Sequence, residues 1–180
     1  MNETTSDAEH IRKTLRLRAE ALARPVAAPP DETEFLEVLE FGLAEERYAL
    51  ETAHVHEVQP LRRLAPIPCT PPFLRGLVHL RGRLVAVIDL KKFFDLPEHG
   101  ITDLHHVVVL QKSEMDIGLL ADTVYGVRML PRDAVQPPLP TLTGIRADYL
   151  KGITAERVVV LDAPRILADP RFIIDENVHS

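Results

Sequence analysis

The residues of this chain best placed to do chemistry are two arginines flanking a glycine, Arg81-Gly82-Arg83. They separate two short apolar runs, Gly76 to Leu80 and Leu84 to Ile88. Both runs are rich in valine, isoleucine and leucine and are short enough to be strands. A turn of that length with glycine in its middle reads as a hairpin. Asp89 stands where the second run stops and a helix-like run, Leu90 to Leu96, begins. A carboxylate there can accept hydrogen bonds from the free N–H groups of a first helical turn. The unit displays guanidinium groups on a rigid turn, which is recognition chemistry rather than nucleophilic or metal chemistry.

The remaining reactive side chains do not assemble into a catalytic set. A metal centre needs converging ligands. His54 and His56 are two apart and His105 and His106 are adjacent, with no cysteine or further histidine at ligand spacing. They read as histidines of the surface or of a barrel end. Cys69 lies between Pro68 and Thr70 with no base beside it, and is expected to be a buried, inert thiol. No dinucleotide-binding, phosphate-loop or nucleophile-elbow motif occurs. The chain is therefore expected to bind rather than catalyse, with no cofactor and no metal.

These residues need a scaffold, and composition bounds it. At 180 residues the chain forms one domain or two small ones. The net charge of −6 argues against a general nucleic-acid binder. No apolar run is long enough to span a bilayer, and the polar N-terminus has no signal-like core, so a soluble, reducing, cytoplasmic setting is expected. Fifteen prolines and many short β-type runs point to an all-β barrel or sandwich.

Residues 1–32 differ from the rest. Ala8, Ile11, Leu15, Ala19 and Leu22 share one helical face. Residues 9–24 carry five basic and two acidic side chains, a net +3. Pro25, Pro29 and Pro30 make the following segment a stiff linker. The body is expected over 33–172, and 173–180 is a tail.

Within the body the sequence repeats. Val38 to Leu61 lies over Val107 to Leu130 without a gap, pairing Val38 with Val107, Glu45 with Glu114 and Leu50 with Leu119. Val55, Val58 and Leu61, at spacing three, lie over Val124, Val127 and Leu130 and read as a turn across a barrel end. Val85 to Asp89 lies over Val158 to Asp162, which makes Asp89 and Asp162 equivalent helix caps rather than a catalytic pair. Two similar small β-barrels in tandem follow, the first at about 35–97 and the second at about 102–170.

The stretch from Ile67 to Pro97, IPCTPPFLRGLVHLRGRLVAVIDLKKFFDLP, closely resembles the signature of the CheW chemotaxis coupling family. Asp122-Thr123-Val124-Tyr125-Gly126-Val127 and Tyr149-Leu150-Lys151-Gly152-Ile153 are similar to that family's later motifs, in the right order. Cys69 and His79 stand where asparagine is common, and Ala86 where proline is frequent. The resemblance implies a mainly β fold of two tandem SH3-like five-stranded β-barrels with short helices. It implies a non-catalytic adaptor coupling chemoreceptors to a CheA-type histidine kinase. The first barrel would bind the kinase regulatory domain, and Arg81, Gly82, Arg83 and His79 would be partner-binding, Arg81 toward kinase or receptor. Val38, Val58, Leu77 and Val87 would line the core or an apolar groove that takes the cytoplasmic receptor tip. The alternative is a barrel module that uses that groove as a small-ligand pocket, alone or as an enzyme subunit.

Overall fold

The computed structural model describes residues 34–97, 105–112, 115–138 and 145–172. The sequence-predicted N-terminal helix, its linker and the C-terminal tail lie outside the described residues. The body forms a compact unit that starts at Glu34.

Among the described residues ten strands and two short α-helices follow in order: β1 Phe35–Leu43, β2 Glu46–Glu51, β3 Val55–Pro60, β4 Leu74–Leu80, β5 Arg83–Ile88, α1 Leu90–Phe93, β6 His106–Lys112, β7 Met115–Ala121, β8 Thr123–Pro131, β9 Leu150–Ile153, β10 Val158–Leu161 and α2 Ala163–Ala168. They build two five-stranded sheets, sheet A in the order β8-β1-β2-β10-β9 and sheet B in the order β3-β6-β7-β5-β4. The mainly β fold with five strands per sheet agrees with the sequence expectation.

The sequential barrels do not. Residues 35–97 hold β1 to β5, yet β1 and β2 belong to sheet A while β3, β4 and β5 belong to sheet B. The second half mirrors this: β6 and β7 join sheet B, and β8, β9 and β10 join sheet A. Replacing each strand by its repeat partner turns one sheet order into the other. The repeat is real, but the halves interleave. The crossover happens at the segments read as barrel-end turns. Val55–Pro60 and Thr123–Pro131 are strands, the first entered through a 3-10 turn at Thr52–His54. A bulge between Val55 and Glu57 puts Val55 and Val58 on the same core, so spacing three here is a bulged strand.

Interleaving also explains the continuous apolar runs. Val107 and Val109 face the interior of sheet B, while Val108 and Leu110 face the large cluster shared by both sheets. Val158 and Val160 likewise fill the sheet A interior, and Val159 and Leu161 the shared cluster. Strands buried on both faces lose the apolar–polar alternation of half-exposed ones. Where the chain returns, β2 pairs with β10 and β5 with β7 in parallel, and all other pairings are antiparallel.

Asp89 and Asp162 cap α1 and α2 as expected. Their carboxylates accept from the backbone N–H of Lys91 and of Arg165, each at 3.0 Å. Cys69 is exposed rather than buried, in a loop where its φ is 61°. Among prolines the chain there has no strand ladder to bury it.

Candidate protein-interaction site

The β4–β5 hairpin is tighter than its sequence suggests. Leu80 pairs with Arg83, leaving only Arg81 and Gly82 in the loop. Their φ values are 45° and 86°, the two successive positive angles of a type I′ turn, whose twist matches that of the flanking strands. Glycine enters that region freely. Arginine does not, so Arg81 holds a conformation that costs on the order of 1 kcal/mol or more.

The turn aims the two arginines differently. Arg81 is 73% exposed, and its Nε lies 3.1 Å from Oε2 of Glu57 on β3. Arg83 is the first residue of β5, and its Nη1 lies 2.8 Å from Oδ2 of Asp116 on β7, a carboxylate only 6% exposed. Its Nη2 also meets His56 Nε2 at 3.1 Å. His79 is exposed on β4 opposite Leu84, which is exposed too. Arg81, Gly82, Arg83 and His79 thus gather at one hairpin tip, as the sequence indicated.

The four apolar candidates do not converge. Val38 and Val87 are completely buried, in the sheet A and sheet B interiors respectively. Neither can line a groove, because both faces of their strands are covered. Val58 is half-buried against the shared cluster, and Leu77 is half-buried on β4 opposite Ala86. The region between the sheets is filled by that cluster, including Phe41, Tyr48, Leu119 and Phe93. Sequence reasoning passed over a second exposed apolar row, Tyr125, Val127 and Met129 on the edge strand β8. Their alternation was the available signal.

Other polar clusters fasten the frame. The Asp122 carboxylate accepts from Ala44 N at 2.8 Å and from Lys91 Nζ at 2.6 Å, tying the β1–β2 turn to α1. Asp169 accepts from the Tyr149 hydroxyl and from the Arg171 guanidinium and backbone N–H. The Arg171 hydrogen bonds hold its carboxyl down to about 2 against the opposing effect of burial. Burial and the neighbouring Asp169 push the Tyr149 hydroxyl up.

Comparison with known proteins places this framework. The family model described as "CheW-like domain" matches residues 37–171. Chemotaxis protein CheW of Treponema pallidum is 29% identical over 142 residues, 75% of this chain and 84% of that protein. Chemotaxis protein CheW of Klebsiella aerogenes is 29% identical over 150 residues, 82% and 90% of the two chains. The crystal structure of the scaffolding protein TtCheW from Thermoanaerobacter tengcongensis aligns with a TM-score of 0.64 at 29% identity, covering 76% of this chain and 87% of that one. The match spans both interleaved sheets and the hairpin with its strained arginine, and on it the chain belongs to the CheW-like domain family.

Proposed function

We propose that this protein is a non-catalytic adaptor of the cytoplasm that couples chemoreceptors to a CheA-type histidine kinase. The observation that carries the reading is the family match over 37–171, which takes in nearly every described residue. The local geometry supports it. A strained, 73% exposed arginine at a rigid hairpin tip is a recognition element, since strain at an exposed turn is otherwise easily relieved by substitution. His79, Gly82 and Arg83 surround Arg81 and form with it the surface for the kinase regulatory domain. Half-buried Leu77 and Val58 remain candidates for contact with a receptor tip, whereas Val38 and Val87 support the sheets from inside.

The test is a titration of the full chain against a kinase regulatory domain and, separately, a receptor-tip fragment. Saturable binding to both is expected. Binding to neither would overturn the reading.

A further inference from the structure

β3 and β4 are the two outer strands of sheet B, and between their ends lies an open groove of about 700 Å³. It is lined by Gln59 and Pro60 of β3, by Arg62 and Arg63 where the chain leaves β3, and by His79 and Arg81 of the hairpin. The rim is cationic. Arg62, Arg63 and Arg81 line the groove, and of the three only Arg81 meets a carboxylate, Glu57, leaving +2 on a molecule whose net charge is −6. Arg62 and Arg63 are exposed, and neither has a hydrogen-bond or ion-pair partner among the described residues.

The backbone beside the groove is also open. Antiparallel pairing alternates, so on β4 the N–H and C=O of Leu77 and His79 point away from β5. Those of Leu77 are taken by Ala65, with both bonds at 2.8 Å. Those of His79, two residues on, have no strand beside them among the described residues. Sheet A shows what a balanced version looks like. Its matching groove, beside Met129, Leu130, Thr154 and Ala155, is spanned by Arg128 on β8 and Glu156 in the β9–β10 turn, 2.7 Å apart. There one arginine meets one glutamate, so the excess of cations belongs to the sheet B groove.

We propose that this groove docks an extended acidic segment of a partner protein. Carboxylates of that segment pair with Arg62 and Arg63 and share Arg81 with Glu57, while its backbone adds to the free edge of β4 at His79. A nucleic acid fits less well, because its long run of phosphates meets a negative molecule everywhere beyond the rim. The inference rests on the adaptor reading in taking the occupant to be a protein.

The probe is a short fluorescent peptide of alternating glutamate and threonine, titrated against the full chain by anisotropy. Its glutamine–threonine counterpart, an oligothymidylate and inorganic phosphate serve as comparisons. The acidic peptide is expected to bind about tenfold or more tightly than either comparison polymer, and to weaken as salt rises from about 0.05 to 0.5 M. The double substitution Arg62→Gln with Arg63→Gln is expected to remove that preference at an unchanged melting temperature, since both side chains are exposed. Equal binding of the glutamine peptide, tighter binding of oligothymidylate, displacement by phosphate at low millimolar concentration, or an unaffected double variant would each overturn the proposal. The kinase regulatory domain is titrated against the same proteins. A chain that binds the peptide but not that domain sinks the coupling reading alone, and the converse sinks the groove alone.

Discussion

Arg81 and Arg83 are two residues apart and hold different places in the molecule. Arg83 neutralises Asp116, a carboxylate with little access to water, so Arg83→Ala is expected to cost about 1.5–3 kcal/mol in urea unfolding, the worth of a hydrogen bond to a charged group. Arg81 is largely in solvent, and the Glu57 carboxylate that it meets, only 12% exposed, also accepts from Gln59 Nε2 at 3.2 Å and so keeps a partner without it. Arg81→Ala is therefore expected to leave the melt nearly unchanged while weakening binding of the kinase regulatory domain by about 1.5–3 kcal/mol. A large loss of stability with intact binding would make Arg81 architectural instead. Asp169 supplies a pH signature. Its carboxyl titrates near 2 when folded and near the ordinary 3.8 when unfolded, so its contribution is full above about pH 4 and fades as pH falls toward 2. Unfolding free energy measured against pH is expected to drop through that window in the native protein. The Asp169→Asn variant is expected to lack that part of the drop.

At the scale of elements, two glycines hold equivalent places. Gly76 and Gly152 come from the similar stretches Phe73-Leu74-Arg75-Gly76 and Tyr149-Leu150-Lys151-Gly152. A Cβ on Gly76 would lie 2.2 Å from the Ala65 carbonyl oxygen, and one on Gly152 would lie 2.5 Å from that of Gln136. In both, the strand bonds across its glycine to a crossing segment, Ala65 with Leu77 and Gln136 with Ile153. The backbones can approach only because no side chain intervenes. Gly152→Ala is expected to cost about 1–3 kcal/mol, the range for overpacking, with a change in m-value if the Gln136 bridge opens. Element-level features of this kind were partly legible. The hairpin, the two caps and most strands come from contacts within a few residues, and the sequence carries those directly. β3 was missed because a bulge turns the two-residue period of a strand into a spacing of three, and β8 because its alternating apolar residues Tyr125, Val127 and Met129 lie on the exposed face.

At the scale of the whole molecule, each half leaves a sheet incomplete. A fragment of residues 34–97 has β1 and β2 without β10 and β8, and β3 without β6. Neither that fragment nor 105–172 is expected to fold alone, whereas the two together are expected to reassociate into one folded species. Circular dichroism with size-exclusion chromatography checks this, and a cooperative melt from either half alone would contradict it. Removing residues 1–30 is expected to preserve the cooperative melt, because Pro25, Pro29 and Pro30 make that boundary an extended linker and β1 starts after it, at Phe35.

By itself the sequence determined the repeat, the class of fold, the capped helices, the arginine hairpin and the family resemblance. Each rests on local spacing or on a contiguous motif. The tertiary structure decided which strands share a sheet, and with it the burial of Val38 and Val87. The repeat is compatible both with two self-contained barrels and with two barrels that exchange strands, since every strand has an equivalent partner in either case. The choice lies in contacts between residues far apart along the chain, such as Leu39 with Val127 across β1 and β8. The partners of Arg81 and Arg83 were hidden for the same reason. Glu57 and Asp116 lie far along the chain on other strands, and only folding brings a carboxylate to each guanidinium.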